Sequence, residues 1–114
     1  PGQGAIAVQC RADDQVALEL LAPLDDGPTR AEVQAEREFL AALGGGCTAP
    51  VGANAEYGDR FLILRGVVGS LDGEKVIRVT QSGSNALELG QSLAEEALAL
   101  GAQEIIAHAN MPRA

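Results

Sequence analysis

Two hydrophobic periods run along the chain, and the places where one gives way to the other mark the elements. Ala5-Ile6-Ala7-Val8-Gln9-Cys10 is a mixed apolar run, read as a strand of the kind buried on both faces in a sheet centre. It has no evident partner strand. Asp13 or Asp14 can cap a helix to about Ala22, with Val16, Leu20 and Leu21 as its apolar stripe. Pro23 lies near its end, and Asp25-Asp26-Gly27-Pro28 reads as a linker. Thr29-Arg30-Ala31-Glu32 fits a capping box with Thr29 as N-cap. The helix it opens is expected to run to about Leu43 and to bury Val33, Phe39, Leu40 and Leu43. Gly44-Gly45-Gly46 stops it.

The period then shortens to two. Val51–Tyr57, Arg60–Val68 and Lys75–Gln81 are expected strands, joined at Gly58-Asp59 and at Ser70-Leu71-Asp72-Gly73. Connectors this short imply antiparallel neighbours. The helical period returns over about Asn85 to Leu100 and, after Gly101, over Ala102–His108. The order predicts an α+β fold: a three-stranded antiparallel sheet with helices packed on one face, preceded by a strand-helix segment left over from another domain. The division is 1–27 for that remnant with its linker and 28–114 for the domain. The opening Pro1-Gly2-Gln3-Gly4 reads as mid-protein, so the chain is expected to be a piece of a longer one.

Composition narrows the function. With 46% apolar and 21% charged residues in 114, the chain can form an ordinary globular core. Its net charge of −8 argues against nucleic acid and anionic lipid, which call for a basic surface. Phe39, Phe61 and Tyr57 are too few aromatics for a base-stacking platform. No apolar run approaches the ~18 residues of a membrane helix, and a cytoplasmic location is expected. Two cysteines make no disulfide framework, and the single His108 fits no common zinc spacing, so no metal is expected.

Candidate chemistry concentrates in Gly44-Gly45-Gly46-Cys47-Thr48-Ala49-Pro50, which puts a thiol on a glycine-rich loop between helix and strand. Such a thiol is reachable, and missing side chains let another body approach the backbone. The plainer reading makes Cys47 a small buried apolar residue and the glycines a helix stop. Cys10 is expected to be buried, His108 to lie at the surface, and Glu36, Glu38, Glu95 and Glu96 to be solvated on helix faces. Arg37 has no acidic residue three or four positions away; it is either a solvated surface residue or free to project toward a cleft. No P-loop, HExxH or nucleophile elbow is present, and the glycines of Pro1–Gly4 precede a strand rather than follow one.

Five stretches carry a resemblance: Pro1-Gly2-Gln3-Gly4-Ala5, Cys10-Arg11, Ala35-Glu36-Arg37-Glu38-Phe39-Leu40, Gly45-Gly46-Cys47-Thr48-Ala49-Pro50-Val51-Gly52, and Leu64-Arg65-Gly66-Val67-Val68-Gly69. In order and spacing they resemble the porphobilinogen deaminase (hydroxymethylbilane synthase) family. The Gly-Gly-Cys-x-x-Pro-x-Gly stretch is the most specific. Gln34, where the family commonly has Thr, and Thr48-Ala49 are small departures. The resemblance implies a transferase of tetrapyrrole and haem biosynthesis with three domains, of which this chain is similar to the end of domain one and all of domain three. It implies that Cys47 carries a dipyrromethane cofactor through a thioether. On that primer four porphobilinogen units are joined into hydroxymethylbilane with loss of ammonia. It also implies that the catalytic aspartate and most substrate-binding basic residues lie in the missing domains one and two. No catalytic residue is therefore expected in this chain, which alone should be inactive and carry no cofactor. The segment 1–24, lacking its sheet, invites adventitious self-association. The alternatives are a stand-alone, non-catalytic interaction module of the same fold and a thiol redox domain, the latter lacking a C-x-x-C pair.

Overall fold

A computed structural model of the chain describes residues 5–44 and 50–109. Its elements, in order, are α1 (Gln15–Leu21), α2 (Gly27–Ala42), β1 (Val51–Gly58), β2 (Phe61–Gly69), β3 (Val76–Gly83), α3 (Ala86–Ala97) and α4 (Gln103–Ala109). The strands form one antiparallel sheet in the order β1-β2-β3. This is the α+β architecture expected from the pattern.

Helices α1, α2 and α3 each start at a side-chain cap. The Asp14 carboxylate accepts from the Ala17 N–H, and the Asn85 side chain accepts from the Glu88 N–H at the head of α3. At α2 the expectation is corrected. Asp26, not Thr29, is the N-cap, accepting from both the amide and the hydroxyl of Thr29. The helix therefore begins three residues earlier, with Pro28 in its first turn, where a missing N–H costs nothing. The first hairpin also shifts. Gly58 pairs with Phe61, so the two-residue turn is Asp59-Arg60, both at positive φ (46° and 70°). Two successive positive φ values match the right-handed twist of the flanking strands, and Arg60 belongs to the turn rather than to β2. After α3 the chain winds wider over Leu98–Ala102 and kinks at Gly101 (φ 108°) before α4.

Burial on the sheet follows the period of two. Leu62, Leu64 and Val68 of β2, Ala55 of β1 and Val79 of β3 point toward the helices and are buried. They meet Ala35 and Phe39 of α2, Leu43 at its C-cap, and Leu89, Leu93, Ala94 and Ala97 of α3, with Ala102, Ile105 and Ile106 closing the core. Val33 and Leu40, expected in the buried face of α2, are only half-buried. Two glycines set the spacing of the layers. A Cβ on Gly66 would lie 2.4 Å from Cζ of Phe39, so the ring sits on bare backbone of β2. A Cβ on Gly90 would lie 2.9 Å from the Ala35 carbonyl oxygen, which lets α3 close directly on α2.

The segment before α2 behaves differently. Residues 5–10 are not in a strand, and 5–9 are exposed. The strand expectation fails there because a strand's hydrogen bonds come from a neighbouring strand, and none adjoins it. Cys10, expected to be buried, is half-buried for the same reason. The helix α1 does form, since its hydrogen bonds are internal, but Val16 and Leu20 of its apolar stripe stay exposed.

Candidate functional site

The segment that carries the candidate thiol joins α2 to β1, and both of its ends are anchored. At the helix end the Leu43 side chain is buried and its N–H donates to the Phe39 carbonyl at 3.1 Å. Gly44 follows at φ 106°, with its N–H on the Ala41 carbonyl at 3.0 Å. This left-handed residue turns the chain out of the helix. At the strand end the Gly69 N–H donates to the Pro50 carbonyl at 2.9 Å, and Val51 pairs with Val68. Cys47, with Gly45, Gly46, Thr48 and Ala49, lies outside the described residues.

Farther from the loop, a pair of carboxylates ties α2 to β1. β1 is an edge strand, so every second backbone N–H on its outer side lacks a strand partner. Glu36 of α2 accepts the Ala55 N–H at 2.8 Å, and Glu32, one turn earlier, accepts the Tyr57 N–H at 3.4 Å. Glu36 is 7% exposed, which corrects the expectation that it is a solvated helix residue. A buried carboxylate needs hydrogen-bond donors, and an open strand edge supplies them. The same contact blunts the edge against pairing with another chain. Phe39, one turn beyond Glu36 on the helix, adds its ring to the inner face of β2. The segment is thus flanked by two elements tied to each other through Glu36 and Glu32, a stable frame on which a reactive group can be carried.

The other candidates are not part of this frame. Cys10 lies before α1. His108 is exposed on α4, and Arg37 is exposed on α2. Glu38 is half-buried and accepts from the Gln91 side chain, a polar clasp between α2 and α3, while Glu96 accepts from Gln81. Among the described residues no cluster of three or more His, Cys, Asp or Glu could hold a metal ion. No described helix is long and apolar enough to cross a membrane. Sequence reading missed the part played by Glu32 and Glu36. Their spacing of four residues, with Phe39 next on the same side, was the available signal that this flank of α2 faces protein rather than water.

Comparison with known proteins puts this geometry in a family. The family model described as the C-terminal domain of porphobilinogen deaminase matches residues 30–99, a stretch that includes Cys47 and all of α3. The porphobilinogen deaminase of Brevibacillus brevis is 50% identical over 107 residues, covering 93% of this chain and 35% of the relative. That of Desulforudis audaxviator is 49% identical over 108 residues, with the same coverage of both. That of Mycobacterium tuberculosis is 50% identical over 117 residues, covering 93% of this chain and 38% of the relative. The chain therefore spans about a third of the length of the curated relatives it matches. On the strength of the match through its sheet and both flanking helices, the chain belongs to the porphobilinogen deaminase family, by way of that family's C-terminal domain.

Proposed function

We propose that this chain is the cofactor-anchoring part of a hydroxymethylbilane synthase, with Cys47 as the thioether anchor of a dipyrromethane group. The observation that carries the reading is the family match across residues 30–99, within which Cys47 is the only cysteine. The residues around the loop fit such a group. A thiol is the side chain that forms a stable thioether, and it is a far better nucleophile near neutral pH than a hydroxyl. The chain's own part is mechanical. Glu36 and Glu32 tie α2 to β1, Leu43 and Pro50 hold the ends of the loop, and Gly44 turns the backbone out of the helix. When bound, the group supplies a primer to which porphobilinogen units are joined with loss of ammonia. The acid–base residue for that reaction is assigned to the domains that the longer relatives have and this chain does not span. A cytoplasmic setting accords with this role, and porphobilinogen and the growing pyrrole chain are the expected partners of the complete protein.

The test is intact-mass analysis of the complete protein with and without Cys47→Ser. The native protein should carry the added mass of the dipyrromethane, and the variant should lose that mass and tetrapyrrole formation together. Retention of the added mass in the variant would assign the attachment elsewhere. The 114-residue chain should form no tetrapyrrole, and its mass should be that of the bare polypeptide.

A further inference from the structure

The helices cover one face of the sheet, and the other face holds a groove with a chemistry of its own. On that outer face the register forms rows across all three strands. Asn54, Arg65 and Thr80 make one row, and Gly52, Val67 and Arg78 make the next. These six residues, with Ala53, Gly66 and Val79 of the row between, line a groove of about 310 Å³. Gly52 contributes no side chain, and a Val67 methyl leans over it, 3.1 Å from where a Cβ would stand. Arg65 and Arg78 are diagonal neighbours on adjacent strands, with backbones about 7–8 Å apart, and Val67 adjoins both, next to Arg65 on that face of β2 and opposite Arg78.

The charges here run against the rest of the molecule. The chain carries −8, yet both charged residues of the groove are cationic. Arg78 has no hydrogen-bond or ion-pair partner among the described residues. Arg65 meets Glu56 at 3.6 Å, with both side chains at least half exposed. A long, solvated pair of this kind contributes little and gives way readily to a better acceptor. Each guanidinium can hold a carboxylate through two parallel N–H bonds. The Asn54 amide and the Thr80 hydroxyl add donors beside Arg65. Two cationic forks adjoining one apolar residue match a ligand with two separated carboxylates and a short hydrocarbon spacer. A single compact anion would engage one fork and leave Val67 uncovered.

We infer that the outer face of the sheet is a binding site for a small dicarboxylate, held by Arg65 and Arg78 across Val67. The site is independent of Cys47 and of the anchoring role proposed above. It can be tested by titrating the isotope-labelled 114-residue chain with glutarate while following amide and arginine Nε–H resonances. Saturable shifts should be confined to the groove, led by Gly52, Val67, Arg78 and Thr80. Arg65→Gln and Arg78→Gln should each weaken binding about tenfold, the loss expected for one charge-assisted contact. Arg30→Gln, which alters an exposed arginine at the head of α2, should leave it unchanged. Acetate and inorganic phosphate should each bind at least tenfold more weakly than glutarate. Shifts that fail to saturate, glutarate binding unchanged in Arg78→Gln, or phosphate binding as tightly as glutarate would each overturn the assignment.

Discussion

Residues 5–24 and the domain that follows are both rich in aliphatic side chains, and only one of them buries these. In the first region Ile6 is 96% exposed and Leu20 73%; in the second Phe39 and Leu64 are fully buried. The difference does not lie in local propensity, because α1 is capped by Asp14 as competently as α3 is by Asn85. It lies in what each region faces. A helix closes its own hydrogen bonds and can form with an unpaired apolar stripe, whereas a strand cannot form without a neighbour. Hence α1 is present and the expected Ala5–Cys10 strand is not. An apolar pattern specifies an element; its burial needs a second surface. We propose that the missing surface is a sheet of the family's first domain, which makes residues 1–27 a unit distinct from 28–114.

Substitutions can break or sharpen this contrast. The largest effect is expected from Phe39→Ala, which empties the space between α2 and the bare backbone of Gly66. It should cost about 3–5 kcal/mol, read as a lower urea midpoint at unchanged slope. A loss below about 1 kcal/mol would mean that the core is no better packed than α1. Gly90→Ala forces a methyl group against the Ala35 carbonyl and the Phe39 amide, so α2 and α3 must separate. The expected loss is about 1–3 kcal/mol, although alanine is the better helix former.

Glu36→Ala strips the acceptor from the Ala55 N–H, at a cost of about 1–3 kcal/mol. Hydrogen exchange at Ala55 should accelerate more than at Leu64 on the central strand. Equal acceleration at both would show that Glu36 acts on the whole domain rather than on the edge of β1.

The pH dependence is a smaller probe. The Thr29 hydroxyl, and after it the Thr29 amide, hold the Asp26 carboxyl below its ordinary value. A folded-state pKa below the unfolded one favours folding while the group is ionised. That contribution is complete above the unfolded value of about 3.9 and is lost as pH falls from there through the folded value. Asp26→Asn keeps a competent N-cap and should flatten the fall in stability below about pH 4. An unchanged acid limb would remove Asp26 from the account. The smallest effect belongs to the first region: Leu20→Ser on exposed α1 should change stability by no more than about 0.5 kcal/mol. A loss of 2 kcal/mol or more, on the scale of a buried leucine, would show that α1 packs on the domain.

Much of the fold was legible in the sequence because its signals are local. Period two over Val51–Tyr57 and Arg60–Val68 and period 3.6 over the flanking segments place strands and helices to within a few residues. Within the domain the misses are local too, and small: Asp26 outcompetes Thr29 as a cap because a carboxylate satisfies both the amide and the hydroxyl of Thr29, and Arg60 joins the turn because Gly58 pairs with Phe61. The anchor reading of Cys47 came from the motif around it, and the thiol itself lies outside the described residues.

Tertiary structure alone decided the rest. Glu36 looks like any charged helix residue until the free edge of β1 arrives beside it and its carboxylate exchanges water for a backbone N–H. Arg65 and Arg78 are thirteen residues apart in the chain, and the acidic total hides them; only strand register makes them neighbours across Val67. A sequence records which side of each element is apolar and where its own hydrogen bonds begin and end. It does not record which second element will face that side, and the edge contacts of Glu32 and Glu36 and the groove on the outer face both depend on that pairing.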